Sequence, residues 1–168
     1  MREPTESRLN TNLDMVFRRH THLTPVEMWE AWTNPRTLMK WLCPKPWIVT
    51  ECELELWPGG KFYTVMRSPD GKDYPSEGCF LVVEENRRLV WTTTMSAGYR
   101  PVKLPESEPG VEQFHFTAHV EFIEEGGSTL YQVTAIHGDL ESLKQHETMG
   151  FQDGWGAAYE QLLELKSQ

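Results

Sequence analysis

The sequence holds 168 residues with a formal net charge of -9, and 39% of them are hydrophobic, including seven Trp and seven Phe. That is enough apolar surface for one domain with a real core, which argues against global disorder and against a division into two domains. No Lys or Arg occurs across residues 104–143, so a phosphate backbone would be repelled there and nucleic acid is not expected as a partner.

Residues 1–11 are polar and show no periodicity, which predicts a flexible N-terminal tail ahead of a single domain over residues 12–168. Residues 13–22 alternate as a strand, with Leu13, Met15 and Phe17 on one face and Arg18 and His20 on the other. Thr24 before Pro25 is an N-cap followed by Pro at the first helical position, and Val26, Met28, Trp29 and Trp32 supply an apolar face. Asn34-Pro35 ends that helix, and a second short helix is predicted over residues 35–41. A meander follows: strands over 47–56 (Ile48, Cys52, Leu54 and Leu56 alternating), 61–67, 75–84 and 88–95. The turns between them are Trp57-Pro58-Gly59-Gly60, Pro69-Asp70-Gly71 and Glu85-Asn86-Arg87.

Residues 96–113 carry three prolines and several acids and read as a lid, a binding loop or a disordered crossing. Phe114, Phe116, Ala118, Val120 and Phe122 then alternate with His115, Thr117, His119 and Glu121, and Gly126-Gly127 closes a hairpin onto a strand with Tyr131, Val133 and Ala135 on one face. His137 keeps that parity and is predicted to point inward. The run from Asp139 to Lys166 has helical spacing, with Leu140, Leu143, Phe151, Trp155, Ala158, Leu162 and Leu165 on one stripe and a break expected near Met149 and Gly150. Gly150, Gly154 and Gly156 are expected where this helix passes closest to the sheet, leaving room for a ligand. The fold class is therefore α+β, a curved antiparallel sheet of about seven strands wrapped around a long C-terminal helix, with two short helices after the first strand.

The order of motifs carries a resemblance. Thr24-Pro25-Val26-Glu27-Met28-Trp29, Asn34-Pro35, Trp41, Trp57-Pro58-Gly59-Gly60-Lys61-Phe62, Asp70-Gly71, Gly78-Cys79-Phe80, Arg88-Leu89-Val90-Trp91-Thr92, Gly127-Ser128-Thr129-Leu130 and Gly150-Phe151-Gln152-Asp153-Gly154-Trp155 occur in that sequence. Over residues 13–166 this resembles the helix-grip fold of the START-like (SRPBCC) superfamily, and more narrowly the family of activator of heat-shock-protein ATPase homologues (AHSA type). Relatives usually read Ala-Pro where Thr24-Pro25 stands. The resemblance implies a hydrophobic cavity between the sheet and the last helix. It also brings three functional expectations: binding of an apolar small molecule, a co-chaperone-like role in stress response through a chaperone ATPase or homodimer partner, and a polyketide-cyclase-like enzyme. Fold alone does not choose among them.

A ligand pocket of this kind would be lined by Trp41, Phe62, Met66, Phe80, Trp91, Phe116, Tyr131, Phe151 and Trp155, with His137 as its polar group. The same side chains equally serve as core filling. No catalytic constellation is present: there is no GxSxG elbow, no phosphate loop and no GxGxxG, so no catalytic residue and no cofactor is assigned. The six His and three Cys match no zinc spacing, and Cys43, Cys52 and Cys79 read as ordinary thiols, so no metal is expected. The first residues lack the apolar core of a secretory signal and no apolar run approaches the roughly 20 residues that cross a bilayer. Membrane insertion is therefore not expected, and the chain reads as cytoplasmic.

Overall fold

The computed structural model describes residue 10, residues 12–103 and residues 114–168. The expected tail, apart from Asn10, and residues 104–113 of the expected loop lie outside the described residues. The chain begins with strand β1 (Asp14–Thr21), helix α1 (Pro25–Thr33) and the short helix α2 (Pro35–Leu38). Strands β2 (Ile48–Leu54), β3 (Lys61–Arg67), β4 (Asp73–Glu84), β5 (Arg88–Thr92), β6 (Met95–Ser96), β7 (Arg100–Pro101), β8 (Thr117–Glu125) and β9 (Ser128–Ile136) follow. Helices α3 (Leu140–Thr148) and α4 (Phe151–Lys166) end it. Seven strands form one antiparallel sheet in the order β1-β9-β8-β5-β4-β3-β2, and β6 and β7 pair as a separate small hairpin.

The helices start where their caps dictate. Thr24 Oγ1 accepts from Glu27 N at 3.2 Å while Glu27 Oε2 accepts from Thr24 N at 2.8 Å, a reciprocal capping box that satisfies two otherwise orphaned donors. Met28, Ala31 and Trp32 are the buried face of α1. Val26, expected on that face, is 60% exposed, because it stands two residues before Met28 and so about 200° round the helix. Asn34 closes α1 and opens α2, its side chain accepting from Arg36 N at 3.0 Å, but α2 stops at Leu38, short of Trp41.

Alternation fails at one strand. Ile48 was expected inward and is 52% exposed, whereas Val49 is buried. The pairing of β2 with β3 shifts register between Val49 and Glu51, and the extra residue of such a bulge reverses which face the strand's first residues present. Leu56, beyond the end of β2, is also 36% exposed. The following turn folds back onto β4: Gly59 N donates to Phe80 O at 2.7 Å and Phe80 N to Gly60 O at 2.9 Å. A Cβ on Gly60 would stand 2.0 Å from Glu55 O, so this close approach admits only glycine.

The two-residue turn Gly126-Gly127 has φ of +59° and +93°, the mirror-image turn whose twist matches a hairpin, and it sets the β8–β9 register. Gly150, at φ +84°, breaks the last helical run as expected and separates α3 from α4. Leu140, assigned to the apolar stripe, is 49% exposed; α3 buries Leu143 and His146 instead. α4 is held at its far end by Lys166 Nζ to Glu30 Oε2 at 2.7 Å and by Gln161 Nε2 donating to Trp41 O and Cys43 O. Among the described residues no helix is long and apolar enough to cross a membrane.

Candidate functional site

The inward residues of the sheet divide into two aromatic groups. The first lies where α1 and α4 meet β1, β8 and β9. Trp32 stacks on Trp155 at 6.0 Å and meets Trp41 edge-on at 5.3 Å. Phe17 contacts Tyr131, Trp155 and Tyr159 at 5.9 to 6.5 Å, and Phe122 stacks on Tyr131. The Trp41 indole N–H donates to Ala31 O at 3.0 Å, which fixes the residue as part of the α1–α2 packing. Burial raises the Tyr131 hydroxyl's pKa well above the usual phenol value, and the Trp32 indole N–H opposes that rise without reaching hydrogen-bond geometry.

The second group runs along β3, β4, β5 and the approach to β8, and ends on α3. Phe62 stacks on Trp91 with centroids 4.8 Å apart and planes 11° from parallel, and meets Phe80 edge-on at 5.2 Å. Trp91 meets Phe116 at 5.3 Å, and Phe116 leads to His146 at 4.7 Å. His146 is also bounded by Phe114 at 4.6 Å and by Phe151 at 5.0 Å. Its Nδ1 lies 2.9 Å from His137 Nε2, and His137 Nδ1 lies 2.7 Å from Leu13 O. Burial, reinforced by the neighbouring His137, pulls the His146 pKa down to about 4. The Trp91 indole N–H is buried and has no hydrogen-bond partner among the described residues.

The structure thus gathers Phe62, Phe80, Trp91, Phe116, His137 and Phe151 into one wall. Trp155 sits on the seam, 6.1 Å from Phe151, whereas Trp41 and Tyr131 belong to the sealed first group. Met66, half-buried and paired across the sheet with Val49 and Tyr74, joins neither group. Tyr131 and His137 are both buried, 1% and 4% exposed, so neither faces solvent. Phe114 and His146 were not among the residues anticipated from sequence for this wall. The available signal for His146 was its spacing of three from Leu143, which places both on one side of α3.

The α4 glycines differ: Gly156 faces the sheet as expected and Gly154 does not. Gly156 faces β1, where an added Cβ would meet Arg19 Nη2 at 3.6 Å and Phe17 Cε2 at 3.9 Å, ordinary contact distances. Gly154 lies one turn after Phe151 at the edge of the buried stripe, and an added Cβ there would meet no atom within 4 Å. It borders open space rather than a tight approach, on the flank opposite Gly156 and shared with Gln161. Two surface grooves lie on the α3–α4 side, the second of them reaching the wall at Phe151. One, of about 430 Å³, runs along Leu140, Glu141, Lys144, Gln145 and Thr148; the other, of about 340 Å³, lies between Met15 and Val16 and the α3–α4 turn.

Outside the wall, burial pushes the thiols of Cys43 and Cys52 up to about 11, and the three cysteines are unbridged. His20 lies 2.8 Å from Glu125 on the exposed face. Among the described residues no group of three His, Cys, Asp or Glu side chains converges as a metal site would require.

Comparison with known proteins places these features in a wider set. The family model described as "Activator of Hsp90 ATPase homolog 1-like protein" matches residues 22–166. The crystal structure of protein NE0264 from Nitrosomonas europaea is 38% identical, with a TM-score of 0.86 over 95% of this chain and 97% of that one. Protein Ms6760 from Mycobacterium smegmatis is 23% identical with a TM-score of 0.73, covering 92% and 90% of the two chains. The AHSA1-like protein from Aeromonas hydrophila, solved by NMR in solution, is 20% identical with a TM-score of 0.69, covering 93% and 96%. The last two speak to the fold alone. No curated protein matches the sequence.

Proposed function

The chain belongs to the activator of Hsp90 ATPase homolog 1-like family, with its helix-grip, START-like fold, and from that membership we propose that it binds a planar apolar small molecule against the wall of Phe62, Phe80, Trp91, Phe116, His137 and Phe151. The observation that supports this reading most is the Trp91 indole N–H, buried without a partner in a run of stacked rings that ends in half-buried Phe116; among the described residues Trp32 Nε1 and Tyr131 Oη are likewise unpartnered, but their rings are fully enclosed. A buried donor left without an acceptor costs about 1–3 kcal/mol, and a ligand oxygen placed against it removes that cost. Gly154, on the flank of α4 with open space at its Cβ position, offers room without a side chain to displace. Flat ring faces with few polar tips suit such a ligand. Trp155 and Phe151 close the wall from the helix side, while Trp41 and Tyr131 act as core beneath it.

Isothermal titration with 2-methoxynaphthalene tests the reading, because that probe offers one ring system and one acceptor oxygen. Saturable one-to-one binding that weakens in Trp91→Phe, which removes the N–H and keeps a ring, is the expected result. No binding of this probe, and no thermal shift across a panel of lipids and aromatic metabolites, would contradict it.

A second reading follows the family description: interaction with a chaperone ATPase in the cytoplasm. It is favoured by two exposed rings on adjoining turns, Trp57 at 57% and Tyr99 at 49%, held together by Gly98 N donating to Gly59 O at 2.8 Å. Stimulation of a purified Hsp90-type ATPase by this protein, lost on Trp57→Ser, would support it. No stimulation at saturating protein would remove it.

A further inference from the structure

The hydrogen bonds of the two buried histidines leave little freedom over where their protons sit. The Leu13 carbonyl can only accept, so His137 Nδ1, 2.7 Å away, carries a hydrogen and donates. A neutral imidazole has one N–H, which makes His137 Nε2 an acceptor. Its neighbour at 2.9 Å, His146 Nδ1, must then be the donor. The hydrogen of His146 is thereby used, and its Nε2 is left as a bare lone pair. The opposite order would need hydrogens on both nitrogens of His137.

The lone pair is also placed for use. His146 Nε2 makes no hydrogen bond to any described residue, and the residue keeps 7% of its surface exposed. Phe114, Phe116 and Phe151 bound the ring on three sides, so a molecule reaching that nitrogen lies against aromatic faces. The relay from His146 through His137 to a fixed backbone carbonyl polarises each bond in turn and strengthens the free acceptor at its end.

We propose that His146 Nε2 is a fixed hydrogen-bond acceptor that selects planar ligands bearing a hydroxyl on the ring, with His137 as the residue that sets its tautomer. This rests on the binding reading above and names the ligand class, a phenol or enol rather than a bare hydrocarbon. The hydroxyl donates to Nε2, and no covalent step is involved.

Paired titrations with 2-naphthol and 2-methoxynaphthalene separate the two ideas, since the probes share a ring system and differ in one donor. The native protein is expected to bind both and to prefer 2-naphthol by about tenfold, the worth of one good hydrogen bond. In His146→Phe the ratio between the probes is expected to fall to about one. Binding of both probes with equal affinity by the native protein would overturn the acceptor proposal and leave the binding reading standing, whereas binding of neither would overturn both. Nitrogen-15 NMR of the ligand-free, unmutated protein at pH 7.5 gives a check that needs no variant. His146 is expected to show a protonated Nδ1 and a bare Nε2, and the reverse tautomer would overturn the proposal.

Discussion

The ring group around Trp32 and the ring group around Phe116 are built from the same residue types, on the same face of the same sheet, and are stacked at similar distances. Around Trp32 the rings are closed over: Trp32, Trp41 and Tyr131 are 0 to 1% exposed, and Trp41 gives its N–H to Ala31. Around Phe116 the wall ends in half-buried rings, an unpartnered indole N–H and a histidine pair with a free lone pair. Aromatic content therefore does not mark a site by itself. Nor does an unpartnered buried donor, since among the described residues Trp32 Nε1 and Tyr131 Oη of the first group lack partners as well; what distinguishes the second group is its half-buried rings and a histidine nitrogen without a partner at its edge.

The largest test of that contrast is mechanical. Trp32→Ala should cost about 3–5 kcal/mol in urea unfolding, because a fully enclosed ring leaves a cavity that neighbours on three elements cannot fill. Phe116→Ala should cost about half as much, since its site is already partly open. Equal losses would erase the distinction between core and wall.

Acidification probes the wall from another side. His146 has a folded value of about 4 against 6.5 ordinarily, so the unfolded chain binds more protons between those values. Stability from this group is complete above pH 6.5 and is lost as pH falls toward 4, by at most about 3 kcal/mol. The pH dependence of stability in His146→Phe should be flatter in that window by about one proton. An unchanged slope would mean that His146 is not held neutral by burial.

Gly154→Leu should leave folding intact, because its Cβ meets open space, and should weaken 2-methoxynaphthalene binding by about tenfold, or about 1.4 kcal/mol. If folding persists and affinity does not move, the space beside Gly154 is not where the ligand lies. The smallest effect is at the far end of α4. The partly exposed pair of Lys166 and Glu30 contributes no more than about 1 kcal/mol, so Lys166→Met should barely shift the thermal midpoint and should not touch binding.

Much of the fold was legible because its signals are local. The Thr24-Pro25 cap, the Gly126-Gly127 turn, the positive φ of Gly150 and the alternation in β8 and β9 each fix a short stretch without help from distant residues. Sequence reasoning failed where the tertiary structure decides. The bulge near Thr50 reversed the faces of Ile48 and Val49, and nothing in the residues themselves announces it. Of the proposed site residues, parity correctly turned His137 and Trp91 inward, but it could not divide inward rings into sealed and open groups. Trp41 and Tyr131 were therefore set beside Phe62 and Phe116. His146 escaped notice because α3 is short and mostly polar, and its chemistry comes from a partner on β9's end that only folding brings to 2.9 Å.

The seven Trp indole N–H resonances allow the contrast to be read in one titration. Adding 2-naphthol to the nitrogen-15-labelled protein should move the Trp91 indole signal strongly, as its unpartnered donor gains an acceptor, while the Trp41 signal, already bonded to Ala31, stays in place. A Trp91 signal that does not move, with Trp32 and Trp41 shifting in its stead, would place the ligand in the sealed group and contradict the assignment of the wall as the binding site.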